Sequence, residues 1–283
     1  MLIQKNKQMK QIFTLLAIAL SITLQAQHSL EKKWETDSTL KTPESVLFDA
    51  GSKTLYVSNI DGKGDGKDGS GSIGKVSLDG KIIATDWVPG LNAPKGLALV
   101  KNILWVADLD ELVTIDITKG QITNHIKIPG AIFLNDVAAD AKGNVYVTDS
   151  RNRELWKIEN GKPSKLLDST SLKGPNGVLV YNKDIYILDN GGLYRLGKGR
   201  SLDKIADGME GHTDGVEPVQ GNEFIVSCWQ GVVYYVNGDG TTQKLLDTRD
   251  QQVNSADIGY DAANRIVYVP TFFRNKIVAY ELK

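Results

Sequence analysis

The chain has 283 residues with 33 Lys and Arg, 34 Asp and Glu, and a formal net charge of −1. Without a basic excess it lacks the charge that nucleic acid or an anionic membrane surface attracts, so we expect neither as a partner. The single cysteine, Cys228, excludes an internal disulfide, and we expect it to be a buried structural thiol.

The first 26 residues follow the pattern of a secretory signal peptide. Three lysines precede an uncharged apolar run at 12–24, and the small residue Ala26 stands at the expected cleavage point. The run is short for a membrane span, which needs about 20 residues. Removing residues 1–26 would move the formal net charge to about −4. We therefore expect an exported, periplasmic protein without a membrane anchor.

From residue 40 onward the chain repeats a unit of short strands. The clearest copy comprises Phe133–Asp140, Gly143–Asp149 and Leu155–Ile158, which are apolar or alternating runs bounded by turn residues. Six copies align on Val46, Leu97, Val137, Val178, Val216 and Ile258. Their spacing of roughly 40 residues is typical of a four-stranded propeller blade. The repeat predicts an all-β fold, a single six-bladed β-propeller, over residues 27–283.

The two ends of the chain predict how the ring closes. The last copy has only three strands, near 258–260, 266–269 and 277–282. A strand-like segment, Leu30–Thr36, precedes the first copy just as 81–87 precedes the second. We expect this N-terminal strand to complete the sixth blade, because a closed ring leaves no free sheet edge.

The first interval between copies is the longest, and its extra residues fall in Asp61–Ser72. The spacing of its Asp residues resembles an EF-hand loop, but Ser72 stands where that loop has a bidentate Glu. We interpret the segment as a flexible surface loop, with a second calcium site as the alternative.

One column of residues predicts chemistry. The innermost strand of each propeller blade begins beside the central channel, so equivalent residues at that point converge. The residues two positions before the alignment points are Glu44, Lys95, Asn135, Asn176, Asp214 and Ala256. Two carboxylates and two amide oxygens suit one hard divalent cation, calcium above all, with zinc, manganese and magnesium as alternatives. Asn and Asp also begin strands as turn formers, but this does not explain Glu44 in the same column.

A second column of Asn and Asp marks the ends of the second strands. It comprises Asn59, Asp108, Asp149 and Asp189, and Cys228 takes the same place in the fifth copy. We expect these residues to be structural, because Asp and Asn side chains bond the backbone of turns.

The repeat and the channel column resemble the senescence marker protein, gluconolactonase and luciferin-regenerating enzyme family of six-bladed propellers, over essentially all of residues 27–283. In that family a Glu of the first blade, an Asn of the fourth and an Asp of the fifth hold one divalent metal. These positions correspond to Glu44, Asn176 and Asp214. The third-blade Asn, matched by Asn135, contacts the metal or the substrate. The resemblance implies hydrolysis of a lactone or related ester, with Asp214 as metal ligand and nearby base.

Three further channel residues are candidates for substrate binding or catalysis. Phe133 stands where the sugar-lactone members have an Arg, which favours a less polar substrate. Lys95 can stabilise an oxyanion, bind a substrate carboxylate, or pair with Glu44 or Asp214. His212 is either a proton shuttle near neutral pH or a solvated loop residue.

A non-catalytic function is the main alternative. The segment 147–155 resembles an NHL repeat, which occurs in propellers that bind ligands or proteins as scaffolds. The fold does not separate an enzyme from a scaffold. The channel column favours the enzyme, because a scaffold has no need for converging oxygen donors. We expect a monomer that acts on a small-molecule lactone or ester.

Overall fold

The structure, a computed structural model, describes residues 27–283. The expected signal peptide lies outside these residues and stays a prediction. Residues 27–283 form six four-stranded antiparallel sheets arranged as the blades of a propeller, which confirms the predicted fold. The helical residues in this range make up three single 3₁₀ turns, and none has the length or apolar character to cross a membrane.

The strands follow one another from the inner to the outer edge of each blade. The chain begins with β1 (Leu30–Glu35), which belongs to the last blade. Blade 1 contains β2 (Pro43–Asp49), β3 (Thr54–Asn59), β4 (Gly71–Ser77) and β5 (Ile82–Leu91), and blade 2 contains β6 (Pro94–Val100), β7 (Ile103–Asp108), β8 (Glu111–Asp116) and β9 (Gln121–Lys127). Blade 3 contains β10 (Leu134–Ala139), β11 (Val145–Asp149), β12 (Glu154–Glu159) and β13 (Lys162–Leu167), and blade 4 contains β14 (Pro175–Tyr181), β15 (Asp184–Asp189), β16 (Gly192–Leu196) and β17 (Leu202–Ala206). Blade 5 contains β18 (Thr213–Gln220), β19 (Glu223–Cys228), β20 (Val232–Val236) and β21 (Thr242–Asp247), and blade 6 contains β22 (Gly259–Asp261), β23 (Ile266–Pro270), β24 (Ile277–Leu282) and β1.

The ring closes as the sequence predicts. β1 pairs antiparallel with β24, so that Leu30 lies opposite Leu282 at the outer edge of blade 6. At the inner edge, Ser45 and Asp257 form an isolated parallel bridge between blades 1 and 6. The Ser45 hydroxyl also donates to Asp257 Oδ2 at 2.6 Å. The two ends of the propeller domain are therefore joined at both edges of the last blade.

The hydrophobic core lies between neighbouring blades. Val147 and Trp156 of blade 3, for example, belong to one buried cluster with Ala107 and Leu112 of blade 2. The second strands of the blades are covered on both faces by neighbouring blades. They therefore carry aromatic and β-branched residues almost without interruption.

The strand-end column is structural, as predicted. Asp108 accepts hydrogen bonds from the backbone N–H groups of Asn92 and Ala93, and Asp189 accepts from those of Lys173 and Gly174. Each carboxylate holds the segment that leads into an innermost strand. The fifth member of the column, Cys228, is fully buried, and burial raises the pKa of its thiol to about 12.

Hydroxyl groups tie the innermost strands of neighbouring blades. Thr148 accepts from the backbone N–H of Asp136 and donates to the carbonyl oxygen of Asn176 at 2.7 Å. Ser227 accepts from the N–H of Gly215 and donates to the carbonyl oxygen of Ala256 at 2.8 Å. These bonds hold the starting points of the inner strands, and therefore the channel column, in fixed relative positions.

Candidate functional site

The predicted channel residues converge on one cavity of about 510 Å³. Five of the six column members line it, namely Glu44, Lys95, Asn135, Asn176 and Asp214. The sixth, Ala256, is buried in the blade interior. Phe133 and the exposed His212 also line the cavity. Every residue assigned to the site from the sequence therefore faces the same space, while the roles assigned to them stay predictions.

The cavity has further lining residues that the sequence reasoning missed: Ile60, Gly64, Trp229, Gln230 and Phe272. Ile60 and Trp229 each directly follow the end of a second strand, in blades 1 and 5. The sequence position that directly follows each member of the strand-end column would have identified both Ile60 and Trp229. Gly64 and Phe272 lie further along the same connections between second and third strands, in blades 1 and 6, where the loops differ in length from blade to blade, so no periodic signal marks them.

The two carboxyl groups of the cavity are deeply buried, with Glu44 only 6% exposed and Asp214 2%. Burial raises the pKa of Glu44, Lys95 opposes this shift and Asp257 adds to it. Burial and the nearby carboxyl groups of Glu44 and Asp257 also raise the pKa of Asp214 well above its usual value, with Asn176 opposing. Two carboxylates in a low-dielectric site repel each other, so the site favours a positive charge between them.

Buried oxygen atoms without hydrogen-bond partners concentrate here. Within residues 27–283 four side-chain atoms are in this state: Glu44 Oε2, Asn176 Oδ1, Gln230 Oε1 and Thr213 Oγ1. Three belong to residues that line the cavity, and Thr213 directly precedes Asp214. A buried polar atom left unpaired costs about 1–3 kcal/mol. Their clustering indicates a place where a ligand supplies the missing partners.

Neighbouring groups fix the orientation of both channel amides. Asn176 donates from Nδ2 to Asp214 Oδ1 at 2.8 Å, and its carbonyl oxygen cannot face that carboxylate because both are acceptors. The Ser150 hydroxyl donates its only hydrogen to the carbonyl oxygen of Pro175, so it can only accept from Asn135 Nδ2, 3.0 Å away. Both amide oxygens are thereby left for another partner.

Lys95 is held by backbone carbonyls. Its ammonium group donates to the oxygens of Gly64 at 2.8 Å and Ala93 at 3.0 Å, and lies 4.5 Å from the ring centroid of Phe133. Burial lowers the pKa of Lys95, and the Glu44 carboxylate opposes this shift. No ion pair in the described part of the chain joins Lys95 to either channel carboxylate at contact distance, so the pairing alternative from the sequence is not observed.

The long loop between β3 and β4 reaches over the cavity. Gly64 contributes to the lining, Asp65 pairs with Arg151 of blade 3 at 2.8 Å, and Lys67 pairs with Asp110 of blade 2 at 2.7 Å. Across residues 27–283 no group of three or more His, Cys, Asp or Glu side chains has the arrangement of a metal site. The loop is therefore tied to two other blades, and its Asp residues do not form such a group.

A second, smaller cavity of about 190 Å³ lies further along the innermost strands and is lined by Asp136, Glu217 and Asp257 among others. Asp136 accepts from the backbone N–H groups of Val137 and Val178, both at 2.7 Å. Asp257 accepts from Ser45. Asp136 and Asp257 are thus bonded within the fold, which makes the larger cavity the better candidate for a ligand site.

No protein-family model matches the sequence, and no curated protein is significantly similar to it. Solved structures share its fold. A gluconolactonase from Xanthomonas campestris superposes with a TM-score of 0.68 at 15% identity, over 87% of this chain and 88% of that one. A putative gluconolactonase gives 0.65 at 14% identity, over 91% and 93%.

Another structural neighbour has a different activity. Virginiamycin B lyase from Staphylococcus aureus, as a catalytically inactive variant with quinupristin, gives a TM-score of 0.63 at 15% identity, over 91% of this chain and all of that one. At such identities these structures establish the shared fold alone. The structural neighbours of this chain therefore include gluconolactonase-like propellers, in keeping with the resemblance drawn from its repeats, and lyase propellers.

Proposed function

We propose that the protein is a metal-dependent hydrolase that acts on a lactone or related ester in the larger cavity. The observation that carries this proposal is the pair of unpaired buried oxygens, Glu44 Oε2 and Asn176 Oδ1, beside a second buried carboxylate, Asp214. The cavity has the volume of a small-molecule site, which spans about 300–1,000 Å³. The gluconolactonase and lyase neighbours support an enzymatic use of this fold.

The donor set fits one hard divalent cation, held by Glu44, Asn176 and Asp214 with Asn135 in direct or water-mediated contact. All four donors are oxygens, which calcium prefers over nitrogen or sulfur ligands. A cation would also offset the burial and the like-charge repulsion that together raise the pKa of Glu44 and Asp214. When bound, such a cation polarises a substrate carbonyl and lowers the pKa of a water molecule.

The protein's own residues then move the protons. Asp214 Oδ1 accepts from Asn176, which orients the carboxylate and leaves Oδ2 to take a proton from the attacking water. The oxygen of that water forms a bond to the substrate carbonyl carbon, and the C–O bond of the ester breaks. His212 lies on the solvent-exposed side of the cavity, where it can return a proton to the leaving oxygen.

Phe133 sets a preference for substrates less polar than sugar lactones. Its ring offers no hydrogen bond to substrate hydroxyls, whereas it gains from apolar contact. The guanidinium of Arg151 and the ammonium of Lys95 lie 4.6 Å and 4.5 Å from its ring centroid. These cations hold the ring at the cavity wall.

A panel assay tests the proposal. Protein stripped with a chelator and reloaded with calcium, manganese or zinc is assayed on γ- and δ-lactones, a sugar lactone and a phenyl ester. We expect turnover that needs a cation and falls by at least about 100-fold in Asp214→Asn. Asp203→Asn, an exposed carboxylate on β17, is the matched control and should keep full activity.

Two outcomes would contradict the proposal. If no panel member is turned over with any cation, hydrolysis is rejected and a binding propeller becomes the better explanation. A clear preference for the sugar lactone would leave hydrolysis standing but overturn the role given to Phe133.

A further inference from the structure

One wall of the cavity is formed by aromatic side chains, and the proposed mechanism does not use them. Trp229 and Phe272 both line the cavity and meet edge to face, with ring centroids 5.5 Å apart. Phe273 packs edge-on against both, at 4.7 Å from Phe272 and 6.1 Å from Trp229. In such an arrangement one ring presents a face and its neighbour an edge, so a planar ligand can stack on one ring and meet the other edge-on.

A polar group without a partner adjoins these rings. Gln230 follows Trp229 in the chain and lines the same cavity, and its Oε1 atom is buried without a hydrogen bond within residues 27–283. Whichever way the amide is turned, it presents a donor or an acceptor to the cavity. A bound molecule with a polar substituent would satisfy it.

The backbone holds one of the rings in an unfavourable conformation. Phe272 has a φ of 47°, in the left-handed region that side chains other than Gly, Asn and Asp rarely adopt. Its ring packs against the buried cluster of Ile60, Ala93 and Leu109. Backbone strain of this kind gathers at ligand-clamping positions.

The mouth beside this wall is apolar as well. Three large hydrophobic side chains stand out as exposed in the described part of the chain, and two of them adjoin cavity residues in sequence. Ile132 is 51% exposed and precedes Phe133, and Phe273 is 66% exposed and follows Phe272. Exposed apolar side chains at the mouth favour the approach of an apolar ligand.

We propose that Trp229, Phe272 and Gln230 form a recognition subsite for a planar aromatic ring that carries a polar substituent. The substrate class is then an aromatic lactone or ester whose ring packs against Trp229 and Phe272, face-on to one and edge-on to the other, while its carbonyl group points to Asp214. The choice of substrate rests on the proposed function; the binding of the ring does not, since it involves none of the metal-ligating residues.

Binding without turnover is the first test. Dihydroquinolinone, the lactam analogue of the benzene-fused lactone dihydrocoumarin, resists hydrolysis and is titrated calorimetrically into the cation-loaded protein. We expect Trp229→Ala and Phe272→Asn to weaken its binding by at least about 10-fold. Asn accepts a positive φ, so Phe272→Asn removes the ring without adding backbone strain, and its folding is checked by thermal unfolding. Ile83→Ala, which removes an exposed apolar side chain of β5 that does not line the cavity, is the matched control and should bind as the unchanged protein does.

Discrimination between substrates is the second test. Dihydrocoumarin and δ-nonalactone have the same number of carbon atoms and the same lactone ring size, but only the first contains an aromatic ring. Because the phenoxide leaving group of dihydrocoumarin already favours its hydrolysis, only the change in the kcat/KM ratio between variants reports the subsite. We expect the ratio of dihydrocoumarin to δ-nonalactone to fall by about 10-fold in Trp229→Ala and in Phe272→Asn. Gln230→Leu should remove the affinity difference between a hydroxylated dihydroquinolinone and the unsubstituted compound.

The outcomes separate this inference from the proposed hydrolysis. Lactam binding that depends on Trp229 and Phe272, without turnover of either lactone, would reject hydrolysis and support the aromatic subsite. Absence of lactam binding, or equal binding by the unchanged protein, Trp229→Ala and Phe272→Asn, would overturn the subsite even if lactones are hydrolysed. A kcat/KM ratio that is unchanged in Trp229→Ala and in Phe272→Asn would also overturn it.

Discussion

Two columns of acidic and amide residues run around this propeller, and they differ in how their oxygens are used. In the strand-end column, Asp149 accepts from the backbone N–H groups of Ile132, Arg151 and Asn152. In the channel column, Glu44 Oε2 and Asn176 Oδ1 have no partner within residues 27–283. The same residue types at repeated positions thus build the fold in one place and leave a ligand site in the other, and hydrogen-bond satisfaction tells them apart.

The carboxyl groups at the smaller and the larger cavity show the same difference in hydrogen bonding, although their pKa values are raised at both. Burial raises the pKa of Asp136 and Asp257 at the smaller cavity, as it does that of Glu44 and Asp214 at the larger one. Asp136 and Asp257 at the smaller cavity nevertheless bond to backbone and hydroxyl donors of the fold. A raised pKa therefore marks burial at both cavities, and the unpaired buried oxygens make the larger cavity the candidate ligand site.

The largest effect is expected in the strand-end column. Asp149→Ala removes one carboxylate and leaves the N–H groups of Ile132, Arg151 and Asn152 without their acceptor. We expect the free energy of unfolding to fall by about 3 kcal/mol or more, measured by urea denaturation. A loss below about 1 kcal/mol would show that this column does not hold the inner strands.

The next largest effect is the increase in the free energy of unfolding when a cation binds, and it should depend on the channel column alone. Calcium at 100 times its Kd should raise the free energy of unfolding by about 2.7 kcal/mol. The shift should vanish in Asp214→Asn and persist in Asp189→Asn, although the second variant starts from a lower stability. Thermal unfolding and elemental analysis with and without calcium measure it. The same shift and the same metal content in Asp214→Asn would disprove the assigned ligand set.

The stability of the cation-free protein gives a further comparison between the channel column and the strand-end column. Glu44→Gln replaces a buried carboxyl group whose Oε2 has no partner, so little native bonding is lost. We expect the cation-free protein to change in unfolding free energy by less than about 1 kcal/mol, or to gain stability. Asp108→Asn, which weakens two backbone hydrogen bonds, is the comparison and should lose more. A loss in Glu44→Gln as large as in Asp108→Asn would place Glu44 among the structural residues.

The sequence predicts those parts of the fold and of the candidate site that recur at equivalent positions of the repeat. Blade number, ring closure by β1 and the convergence of Glu44, Asn135, Asn176 and Asp214 all follow from one period, because equivalent residues occupy equivalent places in a ring. The aromatic wall does not follow from it, since Phe272 lies in a loop turn of irregular conformation. The loop over the cavity is set by contacts between distant segments, such as the bond from Lys95 to Gly64, which no local pattern encodes.

A similarly small effect concerns Cys228, which occupies the strand-end column but carries no oxygen acceptor. Its Sγ makes one long contact, 3.6 Å to the carbonyl oxygen of Glu210, where Asp149 holds several N–H groups. Cys228→Ala should therefore lower the free energy of unfolding by only about 1 kcal/mol.

Thiol reactivity gives an independent readout of the same site. Because burial raises the pKa of Cys228 to about 12, little thiolate forms at pH values near 8, and the folded protein should react with a thiol reagent far more slowly than the protein in urea. Rapid labelling of the folded protein would show that the fifth blade opens at this position. The column would then be weakest where sulfur replaces the oxygen acceptor. Cys228→Asn, which introduces a residue type found in this column at Asn59, should slow that opening, measured by amide hydrogen exchange because the variant has no thiol.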